Sequence, residues 1–473
     1  MLATLLIPLC VVTPPQAAPA GGVAGKLRVT AAEAARADIR SGRTSDGELE
    51  FATIVGGAFS NPFDATTLYA GTPWPRVFQI QINNTGTGWV EVFHLAIPIQ
   101  PLNPAPLLVA FHGASASQND IGYNTDYYQK AMARGWYVIA PLGAHEWNFG
   151  VPYAQANIEV ALDWVVEHFN IDPDRVYGVG FSMGGGVAAS YAARHLDPAH
   201  VRLAAIVNHT GTTSLRDTYN HWPLGVMNVL EHTLMFGGSP TDFPFAYQQV
   251  STIDLDSPAY PGAVDPTADM SRNLTNVPVM IFASPNDPNG YLVDQSLHIY
   301  DHLVGLHADP LLRLGAGTVH QWGTINSNLV LNYLEPFVRT DPPLGIPVQT
   351  LADRDGTWWH FTITQVTQGQ FTPFRWRSDP ASNELFLSET ENLAQIRFLP
   401  SDLGLDAGQA LQFRLGTLSG NPLVVVLEGY PQSPSSVLRA GSSNVNWTWD
   451  AQAQTLSFVE ADGVNTPIWS VIP

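Results

Sequence analysis

Residues 175–191 read RVYGVGFSMGGGVAASY, and the turn in their middle decides the fold. An alternating apolar segment, Val176 to Val179, ends on Gly180. Phe181, Ser182, Met183 and Gly184 follow, and then an Ala-rich run suited to a helix packed closely on a sheet. This is the G-x-S-x-G pattern in a strand–turn–helix context. A serine hydroxyl is a poor nucleophile unless it is held clear of the backbone beside a base. A sharp strand-to-helix turn holds it so, but brings the residues two before and two after the serine together. Glycine, with no Cβ, fits at both places. Ser182 is therefore the candidate nucleophile, and the N–H of Met183 one candidate oxyanion donor.

Working outward, PLLVAFHGASAS (106–117) opens with a continuous apolar run, as a strand buried on both faces of a parallel sheet does. The loop after such a strand supplies the second oxyanion N–H, which points to Ala114. His112 in the same loop reads as a brace. WYVIAP (136–141) is a further strand, and the helical spacing of Ile158, Ala161, Leu162 and Val165 predicts a helix over about 154–169. Between them, LGAHEWNFGVPY (142–153) lies at the carboxyl end of a strand, where open α/β sheets bind ligands. Trp147 and Tyr153 are candidate substrate contacts there.

The serine needs a base, and the base a carboxylate to orient it; here the order along the chain is Ser, acid, His. Val277 to Ala283 read as a buried strand, and Asp287 lies in the turn after it. Asp294, in a helical segment, is the alternative acid. Leu311–Leu314 form the last main strand, followed by Gly-Ala-Gly and His320, the candidate base, with Trp322 beside it as a candidate substrate contact. A helix over 327–338 closes this part. Residues 212–275 lack clean periodicity and read as a partly helical lid. No metal cluster or phosphate loop is visible, so no cofactor is expected.

The chain has 473 residues, enough for two cores. Its formal net charge is −20, from 21 basic and 41 acidic residues, which argues against nucleic acid or an anionic membrane as partner. Leu2 to Val12 form an apolar run too short to span a bilayer. With the small residues near Ala18 and Ala20 it reads as an export signal over 1–20, hence a secreted or periplasmic protein. The single cysteine, Cys10, lies within it. Residues 23–50 read as a short helix and a polar loop, and 51–99 as strands leading into the sheet. After a Pro/Gly linker at 341–347, segments such as TWWHFTITQ, ALQFRLG and PLVVVLEGY alternate at short spacing. This predicts a β-sandwich over 348–473. Its tryptophans (358, 359, 376, 447, 449 and 469) could form an exposed row that grips sugars or polyester, or fill its core.

HGASAS, the IDPDRVYGVGFSMGG run, Asp287 in its post-strand turn and VHQW together resemble the α/β-hydrolase superfamily. Within it they resemble the secreted polyhydroxybutyrate-depolymerase and feruloyl-esterase-like serine esterases. The resemblance covers residues 100–340. It implies an α/β fold, a mostly parallel sheet with helices on both faces and a lid over 212–275, in a catalytic domain spanning 21–340. It also implies hydrolysis of a carboxylic ester through an acyl-enzyme on Ser182. The implied substrate is a polyester or an acylated or feruloylated polysaccharide, soluble or insoluble. Two alternatives are a prolyl-oligopeptidase-like peptidase, against which the short segment 51–99 counts, and a catalytically dead adhesion module. Two readings of the sandwich stay open: a detachable module that binds polymer, or a domain that packs on the hydrolase and shapes its cleft.

Overall fold

The computed structural model describes residues 59–60, 67–222, 224–416, 422–461 and 467–473. The export signal expected at 1–20, with Cys10, and the helix expected within 23–50 lie outside the described residues.

Along the chain run β1 (Phe59–Ser60), β2 (Thr67–Gly71), β3 (Val77–Asn84), β4 (Trp89–Ala96) and β5 (Ala105–Phe111). Helices α1 (Asp120–Asn124) and α2 (Tyr127–Met132) follow, then β6 (Tyr137–Pro141), α3 (Pro152–His168), β7 (Ile171–Phe181), α4 (Met183–Arg194) and β8 (Ala205–His209). An insertion contributes α5 (Leu215–His221), α6 (Leu224–Leu230), α7 (Pro244–Gln248) and the hairpin β9 (Leu255–Ser257)–β10 (Tyr260–Val264). The chain returns to the sheet with β11 (Val279–Ala283), α8 (Gly290–Gly305), β12 (Leu311–Leu314) and α9 (Ser327–Leu334).

These strands form one sheet in the order β1-β2-β3-β4-β6-β5-β7-β8-β11-β12. β1 to β4 are antiparallel, and from β6 to β12 every pairing is parallel. β5, β6 and β8 are buried along their whole length, as expected for strands covered on both faces. The chain leaves β5 for β6 on one side and returns to β7 on the other. The carboxyl ends of β5 and β7 are thus the point where the winding reverses, the place where open α/β sheets bind ligands. α3 and α4 pack on one face, α2 and α9 on the other. α3 buries Ile158, Ala161, Leu162 and Val165, the helical spacing read from the sequence. α9 ends at Leu334, short of 338, because Pro336 cannot continue it.

The insertion is tied down from within. Arg216 forms a buried pair with Asp254 at 2.9 Å, donates to the Pro240 carbonyl at 3.1 Å, and Gln248 donates to Asp254 at 2.8 Å. Gln295 of α8 donates to the Ser214 carbonyl and to Asp217, fixing the insertion to the body. Trp222 packs its ring against Phe149, with centroids 5.4 Å apart.

The C-terminal region is a two-layer sandwich built from β13 (Val348–Ala352), β14 (Gly356–Trp358), β15 (Phe361–Gln365), β16 (Thr372–Asp379), β17 (Glu384–Ser388) and β18 (Leu393–Phe398), continued by β19 (Leu411–Leu415), β20 (Leu423–Leu427), β21 (Ser436–Arg439), β22 (Trp447–Asp450), β23 (Thr455–Glu460) and β24 (Ile468–Ile472). One sheet is ordered β13-β16-β17-β19-β24-β21 and the other β14-β15-β18-β20-β23-β22. Alternate residues face inwards, and Phe361 against Trp376 (5.2 Å) and Phe458 against Trp469 (4.3 Å) join the layers. Trp358, Trp359, Trp376 and Trp469 are buried, while Trp447 and Trp449 are half-buried against the same core. The aromatics fill the core and form no exposed row.

Nor does 341–347 tether a loose module. Asp353 accepts from Arg194 Nε and Nη2 at 2.9 and 2.6 Å, and this pair is buried. Asn273 donates to the carbonyls of Ala193 and Leu351, both at 2.9 Å, and accepts from the Leu351 N–H at 2.9 Å. Arg202 pairs with Asp341 at 2.7 Å and lies over the Trp359 ring. The sandwich is docked on the sheet-bearing body through α4.

Candidate active site

Ser182 stands between β7 and α4 with φ 55° and ψ −122°, a strained backbone for a residue with a side chain. The strain is locked in by packing. A Cβ on Gly180 would lie 1.9 Å from the Gly184 carbonyl oxygen, and one on Gly184 would lie 2.1 Å from that of Phe111. Both glycines of the motif are therefore required by backbone contact. The Ser182 N–H donates to the His209 carbonyl at 3.0 Å, and its own carbonyl accepts from Gly185 and Thr212. These backbone bonds tie the turn to the end of β8, and Ser182 is left half-buried at the carboxyl end of β7.

Asp287 sits in the turn after β11, its N–H donating to the Ser284 carbonyl at 2.9 Å. Its Oδ1 accepts from the Asn289 N–H at 2.9 Å and its Oδ2 from His320 Nδ1 at 2.9 Å. A carboxylate only accepts, so this bond calls for a proton on Nδ1, and in the neutral imidazole Nε2 is then the lone-pair nitrogen. That Nε2 is buried and makes no hydrogen bond. The His320 ring rests on Phe181, the neighbour of Ser182, at 4.4 Å between centroids. The structure thus joins His320 to Asp287 and brings both to the serine turn, without a Ser182–His320 bond; such bonds often form only when substrate is held. Gly315 and Gly317 allow this approach, since a Cβ on either would press on Ser284 Oγ and on Phe282 or Thr324. Asp294, the alternative acid, is exposed on α8.

Met183 begins α4, where backbone N–H groups have no intrahelical partner. Its buried side chain turns away, and Sδ accepts from the Phe149 N–H at 3.3 Å. Ala114 lies in a tight loop closed by the Ala116 N–H on the Gly113 carbonyl at 3.2 Å. His112 is buried and spans the Gly113 and Leu142 carbonyls at 2.8 and 2.9 Å, the bracing role read from the sequence.

Of the candidate substrate contacts, Trp147 is half-buried and faces Trp222 of the insertion at 6.1 Å. The Tyr153 hydroxyl bonds His145 Nε2 at 2.6 Å, and its ring stacks on Trp89 at 5.4 Å. Trp322, expected to touch substrate, is placed otherwise. It is buried against Phe181 and Tyr127, and its indole N–H donates to Asp120 Oδ2 at 2.7 Å. Bonded through its indole edge and packed on Phe181, it is held as a support of the His320 loop.

Three residues were not singled out by sequence reasoning. Asp120 joins the Trp322 indole to the Gly113 N–H, linking the base loop to the oxyanion loop. His209 lies among Phe181, Phe282 and Trp322 with Nε2 on Thr324 Oγ1 at 2.8 Å. Burial first, and then His320, hold it down to about 3, so it stays neutral and cannot compete as a base. Glu91 is fully buried beneath the 142–153 wall. Among the described residues no group of three or more His, Cys, Asp or Glu could hold a metal ion, and no helix is long and apolar enough to cross a membrane.

The winding of the sheet, the serine turn after β7, and the Asp287–His320 pair in the loops after β11 and β12 define the α/β-hydrolase fold. No family model matches the chain. A curated protein, the bifunctional acetylxylan esterase/xylanase XynS20E of Neocallimastix patriciarum, is 30% identical over 95 residues, which are 20% of this chain and 14% of that protein. The chain thus matches about a seventh of that relative's length. Among solved structures, a ferulic acid esterase aligns over 55% of this chain and 96% of its own, at 16% identity and TM-score 0.39. An acetyl xylan esterase from Paenibacillus sp. R4 aligns over 65% and 92%, at 13% identity and TM-score 0.39.

Proposed function

We propose that the chain is a secreted serine esterase that cleaves carboxylic esters through an acyl-enzyme, with an acylated or feruloylated polysaccharide as its substrate. The observation that carries this reading is the strained Ser182 turn set beside a partly buried Asp287–His320 pair whose Nε2 is unengaged. In this mechanism His320 takes the Ser182 proton as the hydroxyl attacks the ester carbonyl. The N–H groups of Ala114 and Met183 stabilise the tetrahedral oxyanion, and His320 returns the proton to the departing alcohol. Water then repeats the sequence on the acyl-enzyme. Asp287 keeps the proton on Nδ1 and stabilises the imidazolium. No cofactor enters any step.

The 95-residue match to an acetylxylan esterase/xylanase supports the polysaccharide side of the proposal. The insertion acts as a lid, since Trp222 and Met235 lie against the wall residues Phe149 and Tyr153. The catalytic domain runs to residue 340, and the sandwich of 348–473 supports it structurally. The test is a panel of nitrophenyl esters of increasing acyl length beside acetylated and feruloylated xylan and polyester film. Release of acetate or ferulate from xylan, with little erosion of the film, is the expected result. Erosion of film without action on xylan would move the substrate to polyester.

A further inference from the structure

Glu91 is a buried acid that the reaction does not use. It lies on β4, fully buried within the sheet. Its Oε1 accepts from the N–H groups of Leu142 and Gly143, both at 3.0 Å, and its Oε2 from the N–H of Ala144 at 2.9 Å. Gly143 and Ala144 adopt φ of 64° and 72°, which turns three consecutive N–H groups onto one anion. For Ala144 that backbone is strained, so the carboxylate holds a conformation the loop would not keep alone.

The held loop leads directly to the oxyanion donors. The Leu142 carbonyl faces His112 Nε2, and His112 Nδ1 lies on the Gly113 carbonyl, next to Ala114. On the other side of Ala114, the Ser115 N–H donates to the Glu146 carbonyl at 3.0 Å. Further along, the Phe149 N–H donates to Met183 Sδ. Both flanks of one donor, and the side chain of the other, are therefore secured by residues 142–149.

We propose that Glu91 is the positioning residue of the oxyanion hole, its carboxylate fixing the 142–149 loop and through it the N–H groups of Ala114 and Met183. The kinetic half of this proposal rests on the esterase reading; the conformational half rests on the cradle alone. Burial, outweighing the three N–H donors and a weaker contribution from the Asn157 amide, pushes Glu91 up to about 7. The titratable side chains on the joined loops are His112, His145 and Glu146. A carboxyl raised in the folded state stabilises the fold only while protonated. That contribution is complete below the unfolded value and is lost as pH rises through about 7. At pH 8 the ionised carboxylate thus costs stability while holding the loop.

Glu91→Gln separates these effects. At pH 8 the variant is expected to melt no lower than the wild type. Peptides covering 142–149 are expected to exchange amide hydrogens at least ~10-fold faster, with the sheet unchanged. The kcat on nitrophenyl acetate should fall ~10–100-fold, and KM less than about threefold, as for a misplaced oxyanion donor. The ratio of wild-type to variant kcat should shrink as pH drops below 7, where Glu91 itself is protonated; His320 is common to both proteins and cancels. A Glu91→Gln variant that fails to fold, or melts well below the wild type at pH 8, overturns the proposal, because the carboxylate would then be a structural requirement. Unchanged exchange in a folded variant overturns it equally. Wild type inert on every ester would count against the esterase reading alone, and the exchange measurement would still decide the role of Glu91.

Discussion

At the scale of single residues, the serine turn depends on two missing Cβ atoms. Gly180→Ala sets a methyl against the Gly184 backbone, which no rotamer change relieves. It is expected to cost ~3 kcal/mol or more in a denaturant titration, or to prevent folding. A cost under about 1 kcal/mol would mean the turn is not built as described. The acid can be tested separately. Asp287→Asn removes the acceptor that fixes the His320 proton on Nδ1, and kcat is expected to fall ~10³–10⁴-fold. Asp294→Asn, on an exposed helical position, should leave kcat within about twofold, since surface changes away from the chemistry have small effects. The reverse pattern would move the acid to Asp294. The placement of these residues could be read because it follows local sequence: glycines at fixed offsets, an aspartate after one strand, a histidine after the next. Glu91 was not. Nothing in the run WVEVF marks an acid whose face is closed by the backbone of 142–144, some fifty residues on, while Val90 on the opposite face stays exposed. Trp322 misled in the opposite way, since an aromatic two residues from the base gives no hint that Asp120 holds its edge.

At the scale of elements, the parallel strands could be read because burial on both faces leaves unbroken apolar runs, as in Leu107–Phe111. The insertion could not. Its helices are short, and the insertion is organised by one buried ion pair between Arg216 and Asp254, 38 residues apart, a relation with no periodic trace. That pair gives a prediction. Asp254→Ala leaves the Arg216 guanidinium buried without its anion and is expected to cost ~3–5 kcal/mol of stability. Loss of protection should be concentrated in residues 215–255, by hydrogen exchange. A variant whose insertion stays protected would show that the pair is not what orders it.

At the scale of the whole molecule, a Pro/Gly stretch followed by alternating segments looks the same whether the second unit swings free or docks. The structure has it docked, with Arg194 of α4 against Asp353 and Asn273 bridging to Leu351. Truncation after residue 345 therefore strips the partner from a buried arginine and uncovers a packed face. The truncated chain is expected to be insoluble or inactive even on nitrophenyl acetate. Asp353→Ala should weaken the full chain by ~3–5 kcal/mol. A soluble truncation with full activity on small esters would restore the picture of a detachable module.

The central claim is that Ser182 is a nucleophile served by His320 and Asp287. It is tested most directly by reaction with a fluorophosphonate ester followed by peptide mapping of the adduct. The account predicts one phosphonyl group per chain, on the peptide carrying Ser182, with Ser182→Ala unlabelled and its esterase kcat lowered ~10⁴-fold or more. Label on any other residue, or a folded Ser182→Ala variant within about tenfold of wild-type activity, would contradict it.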